Sequence, residues 1–219
     1  MVKVKICGLT NLEDAVKACE CGADLLGFVF VEGTPRAVQK GAVKSIVSGL
    51  PEDAREVTGR VGLFKDEKPE LAADVLSYCG LNYAQLHGEE SPEYCRRLKD
   101  ILKGSISIIK TFKVKEKILP QGPYDLDDYG DVDYFVFDSF HPEIDGGTGR
   151  RFDWEVMVRQ KEKIKKPFFI AGGLTPENVH DAVTAVGPYG VDVSSGVEKR
   201  PGEKDPNLLK EFIKNAKKE

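Results

Sequence analysis

The feature that most constrains this chain is a set of eight short apolar runs, each leading into a segment of helical character. The runs are residues 2–6, 24–30, 60–64, 82–86, 105–112, 134–137, 168–171 and 191–193. Runs that are apolar on both faces belong in a parallel sheet covered by helices. Eight repeats of the unit predict a closed (β/α)₈ barrel, occupying residues 1–219 as one domain. The rival, a doubly wound open sheet binding a dinucleotide, would want Gly-x-Gly-x-x-Gly after the first strand, and none is there.

The intervening segments carry helix signals. Thr10-Asn11-Leu12-Glu13 has capping-box form, with Thr10 and Glu13 satisfying the first free N–H groups. A helix is predicted over 39–49, and Leu71, Ala72, Val75, Leu76 and Cys79 mark another. Ser91-Pro92, Thr175-Pro176 and Asp205-Pro206 each read as a cap followed by proline in the first turn. Phe152-Asp153-Trp154 opens a further helix. Between 113 and 131, prolines, glycine and acidic residues break any clear period.

Charge and composition exclude several classes of partner. The 219 residues carry a formal charge of −4, with 31% charged and 41% hydrophobic residues. No basic excess points to nucleic acid or an anionic membrane. No apolar run is long enough to span a bilayer, and the N-terminus lacks a signal-peptide core. Five dispersed cysteines make a disulfide framework an unsuitable reading and a reducing cytoplasm the expected one.

In a barrel of this kind, chemistry sits at the C-terminal ends of the strands. The last two runs end in small residues, Gly172-Gly173 and Ser194-Ser195-Gly196. Paired loops of this type at adjacent strand ends form a phosphate cradle from backbone N–H groups and hydroxyls. Cys7 ends the first run and is a candidate base if a nearby cation or helix N-terminus lowers its pKa; packing as a small hydrophobe is the alternative. Asp138 follows Tyr134-Phe135-Val136-Phe137, where apolar walls would raise its pKa into the range of a general acid; capping the loop's own N–H groups is the alternative. Arg36, on a loop over the rim, has the fork to clamp a carboxylate; a solvated surface arginine is the alternative. His87 either touches substrate or bonds a neighbouring backbone carbonyl, the second being preferred. Asp192 either binds sugar hydroxyls or fixes adjacent backbone. Gly147, within Gly146-Gly147-Thr148-Gly149, lies on a long loop that is either a closing flap or a rigid turn. Three separated histidines without carboxylates at ligand spacing give no support for a metal.

Taken together, these segments resemble the phosphoribosylanthranilate isomerase family. The resemblance rests on Lys5-Ile6-Cys7-Gly8-Leu9-Thr10, Gly27-Phe28-Val29-Phe30, Gln85-Leu86-His87-Gly88, Ala171-Gly172-Gly173-Leu174 and Val191-Asp192-Val193-Ser194-Ser195-Gly196-Val197-Glu198, in family order along nearly the whole chain. It implies an Amadori rearrangement of N-(5-phosphoribosyl)anthranilate in tryptophan biosynthesis, without metal or cofactor. It also implies that Cys7 is the thiol base, Asp138 the carboxyl acid, Arg36 the partner of the anthranilate carboxylate, and the two terminal loops the phosphate site. Glu32-Gly33-Thr34-Pro35 departs from the usual serine-containing lead-in to the arginine. The other readings are a histidine-pathway or bifunctional phosphosugar isomerase, whose members resemble this one but use aspartate in place of Cys7, and a non-catalytic phosphosugar-binding protein. The small-molecule substrate is the expected partner, and the chain is read as monomer or homodimer.

Overall fold

Eight parallel strands close into a ring in the computed structural model, which describes residues 1–114, 118–119, 123–139 and 154–218. They are β1 Lys3–Ile6, β2 Leu25–Val29, β3 Gly59–Phe64, β4 Tyr83–Leu86, β5 Ser107–Val114, β6 Tyr134–Ser139, β7 Phe168–Ala171 and β8 Gly190–Val193. Each pairs with the next in sequence, and β8 returns to β1 with Asp192 opposite Lys5. Closure leaves no strand edge exposed in the ring. Burial explains why these sequences are strands: all five residues of Leu-Leu-Gly-Phe-Val in β2 are buried, one face toward the barrel axis and the other under helices.

The outer layer is α1 Leu12–Glu20, α2 Lys40–Gly49, α3 Glu52–Val57, α4 Pro69–Cys79, α5 Pro92–Ile101, α6 Trp154–Gln160, α7 Val179–Val186 and α8 Pro206–Ala216. Among the described residues none is long and apolar enough to cross a membrane. Two of the expected caps hold: Ser91 Oγ accepts from Tyr94 N at 3.3 Å, and Asp205 accepts from Asn207 N and Leu208 N at 2.8 and 3.1 Å. Two others move. The cap of α1 is Asn11, whose Oδ1 accepts from Asp14 N at 2.8 Å, while Thr10 Oγ1 donates to Gly202 O at 2.6 Å. Thr175 and Pro176 precede a turn in which Asn178 Oδ1 accepts from Thr175 N at 2.8 Å, so α7 starts only at Val179. In both, tertiary contact or a competing amide takes the role that local spacing assigned to threonine.

Three further departures concern connections. α3 is an additional helix between β2 and β3. Between β5 and β6 the described residues hold no α-helix; Ile118–Leu119 pairs antiparallel with the end of β5, and Leu126–Asp128 makes a 3₁₀ turn. After β8, Glu198–Arg200 and Glu203–Lys204 form an antiparallel hairpin that the sequence reading did not anticipate.

Inside the ring, Leu25, Val61, Ile109, Val136 and Phe169, from β2, β3, β5, β6 and β7, make an apolar plug. Above it the lining turns polar: Lys5, Gln85 and Thr111 are all buried, with Gln85 Nε2 donating to Thr111 Oγ1 at 3.1 Å. The plug closes the floor, and this upper chamber opens at the C-terminal ends of the strands, where the candidate residues lie.

Candidate active site

A cavity of about 370 Å³ opens at that rim, within the usual size range for a small-molecule site. Cys7, Arg36, His87, Asp138, Gly172, Gly173, Asp192, Ser194, Ser195 and Gly196 all line it. Six strand ends thus converge, as the sequence reading expected. Gly147 lies outside the described residues, as does the rest of its glycine-rich loop.

The two small-residue loops meet directly. Gly172 and Gly173 have φ of +90° and +63°, conformations that favour glycine. A Cβ on Gly196 would stand 1.9 Å from Leu174 O, so only glycine lets the β8 loop approach the β7 loop this closely. Ser194 Oγ is buried there without a hydrogen-bond partner among the described residues, a donor with capacity to spare.

Arg36 makes the two-pronged clamp expected of it, but to the protein itself. Its Nε and Nη2 donate to Glu198 Oε1 and Oε2 at 2.9 and 2.7 Å. Glu198 Oε1 also accepts from the buried Lys204 Nζ at 2.8 Å, and Lys204 donates to Ser194 O at 3.1 Å. The new hairpin therefore braces the arginine and the β8 loop together. Nη1 of Arg36 is not used by this clamp.

Asp138 is pushed up to about 6, first by burial and then by the negative charge of Asp192; Lys5 and Lys113 oppose the shift. This is the direction its apolar run implied. His87 Nε2 faces Asp138 Oδ2 at 3.5 Å, while Nδ1 is buried with no partner among the described residues. The preferred backbone-carbonyl role for His87 is thus not realised: the ring points into the cavity. Burial pulls His87 down to about 4, so it is neutral at physiological pH.

Cys7 departs from expectation. Burial pushes the thiol above its ordinary pKa, and Lys5 only partly offsets this. Asp192 lines the cavity and makes a contact that neither alternative named. Both of its carboxylate oxygens accept from Lys5 Nζ at 2.9 Å. Lys5, Gln85, Glu198 and Lys204 were not singled out as functional from sequence. A lysine two residues before Cys7 in an otherwise apolar strand faces the same side as the thiol, and that alternation was the available signal.

Comparisons with known proteins agree with this geometry. A family model described as N-(5'phosphoribosyl)anthranilate (PRA) isomerase matches residues 4–215. The chain is 44% identical over 218 residues to N-(5'-phosphoribosyl)anthranilate isomerase of Geobacter sp. (strain M21), covering 100% of this chain and 99% of the relative. This chain belongs to the phosphoribosylanthranilate isomerase family. Its activity is the isomerisation of N-(5'-phosphoribosyl)anthranilate in tryptophan biosynthesis. The barrel is similar to the crystal structure of phosphoribosyl anthranilate isomerase from Thermotoga maritima, with TM-score 0.84, 41% identity and 99% of each chain covered. It is also similar, at TM-score 0.81 and 38% identity over 99% of each chain, to a structure of that isomerase in complex with reduced 1-(o-carboxyphenylamino)-1-deoxyribulose 5-phosphate.

Proposed function

We propose that Asp138 is the acid and Cys7 the base of the family's Amadori rearrangement in this chain. The observation that carries the reading is that both groups line one cavity from different strand ends, beside a glycine-rich cradle suited to the substrate phosphate. Asp138 gives its proton to the ribose ring oxygen as the C1–O bond breaks, and the anilino nitrogen lone pair forms the Schiff base. The Cys7 thiolate then removes the C2 proton, and the C–H electrons flow back to nitrogen, leaving an enolamine. Tautomerisation moves the C2 hydroxyl proton to C1 and yields the ketose. One proton has passed from Asp138 to Cys7, and its return resets the site. Gly172, Gly173, Ser194, Ser195 and Gly196 hold the phosphate, the unused N–H groups of Arg36 meet the anthranilate carboxylate, and His87 and Asp192 bound the sugar. The reaction runs in the cytoplasm, on a free small-molecule substrate.

The electrostatics imply a particular pH dependence. Asp138 sits near 6 while the Cys7 thiol lies above its ordinary range. The reactive form, thiolate beside carboxylic acid, is therefore the minority partner of thiol beside carboxylate. Both forms carry one proton, so their ratio is constant between the two pKa values. Below about pH 6 the carboxyl is fully protonated and the thiolate fraction falls tenfold per pH unit; above the thiol pKa the protonated carboxyl is lost instead. Expected is a kcat/KM plateau with an acid break near pH 6, measured by loss of anthranilate fluorescence with EDTA present. A folded protein with no turnover anywhere on that profile would overturn the assignment.

The cradle has its own test. Gly196→Ala forces the two loops apart, and overpacking of this kind costs about 1–3 kcal/mol. KM for the phosphorylated substrate is expected to rise roughly 10–100-fold with a smaller change in kcat. An unchanged KM would remove the β8 loop from the phosphate site.

A further inference from the structure

Beside Cys7 and Asp138 lies a buried ion pair that takes no part in the proton transfers written above. Lys5 is fully buried, and its Nζ donates to both Asp192 oxygens at 2.9 Å. Cys7 directly follows β1, two residues after Lys5, and its N–H extends the ladder by donating to Val193 O at 2.8 Å, so the two side chains leave the same face. Gly27 on β2 makes room for them: a Cβ there would come within 3.0 Å of Lys5 Nζ and 3.1 Å of Cys7 Sγ. On the other side, Asp138, Ala171, Asp192 and Lys5 are successive register partners across β6, β7, β8 and β1. Only a methyl side chain stands between the two carboxyl groups in that row.

We propose that the Lys5–Asp192 pair is a fixed dipole that biases the reacting groups toward thiolate beside carboxylic acid, its ammonium end against Cys7 and its carboxylate end against Asp138. The proposal rests on the acid and base roles assigned above. Lys5 and Asp192 act through those groups and are positioning residues. An apolar pair of equal volume would stabilise the barrel at least as well as a buried ion pair, so stability alone does not account for this one.

Among the described residues, the charges facing each group are these. Cys7 is faced by Lys5, Asp192, Lys204 and Arg36. The last two are tied to Glu198, which offsets their charge at the thiol. Asp138 is faced by Asp192, Lys5 and Lys113, and by His87, which is neutral. Lys5 is the strongest charge acting on Cys7, and Asp192 the strongest acting on Asp138. The dipole thus has the orientation the reaction needs.

The consequence is quantitative. On the plateau, the reactive fraction depends on the gap between the two pKa values, and widening that gap by one unit lowers the rate roughly tenfold. Lys5→Met is expected to move the alkaline break upward, Asp192→Asn to move the acid break downward from about 6, each lowering the plateau by the factor its break has moved. Because each single variant leaves a buried charge unpaired, the decisive protein is Lys5→Met/Asp192→Asn, which is neutral and of nearly the same volume. Its breaks are expected to move apart, and ¹³C NMR of Cys7 Cβ and Asp138 Cγ in the free protein should titrate in step. A folded double variant with both titrations as in the wild type would overturn the dipole, whatever its rate. If the titrations move but Cys7→Ala keeps full turnover, the dipole stands and the acid–base assignment falls; if Cys7→Ala and Asp138→Asn are inactive while the titrations stay put, the reverse holds.

Discussion

Asp138→Asn protein is expected to fold as the wild type does and to lose about 10²–10⁴-fold in turnover, the usual contribution of a positioned acid or base. The amide keeps the shape of the carboxyl but has no acidic proton for the ring oxygen. Cys7→Ala is expected to fall in the same range, because the other candidate bases described in the cavity are engaged: His87 is turned toward Asp138, and Asp192 is held by Lys5. The two variants act on consecutive steps, ring opening and proton removal. Their combination should therefore be limited by the slower step rather than show the product of the two losses. Steady-state kinetics on the three proteins, with circular dichroism to confirm folding, makes the comparison. Near-native turnover in either single variant would remove that residue from the mechanism.

Lys110→Met is expected to give the largest loss of stability, about 3–5 kcal/mol, the range for removing one partner of a buried pair. Lys110 Nζ donates to Gly88 O at 2.7 Å and Glu90 Oε2 at 2.9 Å, and both side chains are essentially without solvent. Glu90 in turn accepts from Gly88 N and Asp66 N, tying the turn after β4 to the loop after β3. Without the lysine, a carboxylate remains buried on two backbone amides alone. Urea unfolding measures the loss. Lys17→Met, which breaks the exposed Lys17–Glu20 pair, serves as the contrast and should be indistinguishable from wild type. Equal stability of the two variants would mean that Glu90 finds water or another partner. Because the same turn carries His87, the Lys110 variant should also bind substrate less tightly than its remaining fold would suggest.

How far the sequence carries is visible in these same residues. The strands were legible because burial on both faces leaves a direct mark, an unbroken apolar run, and eight such runs leave few architectures. Cys7, His87 and Asp138 were legible because each ends or follows a run, where a barrel places its chemistry. Gly196 was legible as a small residue in a loop, but its necessity lies in Leu174 O, a contact that the sequence does not display. The shifted caps of α1 and α7 belong to the same class: Thr10 is drawn to Gly202 across the fold, and no local spacing reports that.

Charge partnership was the part that local pattern could not supply. Lys5 and Asp192 are 187 residues apart, and Arg36 and Glu198 are 162 apart; each pair exists because β8 closes onto β1. The sequence by itself determined the alternating barrel and the rim on which the candidate residues sit, since these follow from periodicity and from position relative to strand ends. Tertiary structure alone decided that Arg36 is braced by Glu198, that burial raises rather than lowers the Cys7 thiol, and that Asp192 answers Lys5 instead of solvent. The reason is physical: periodicity records which faces are dry, whereas a pKa depends on which charges share the dry space, and only ring closure settles that.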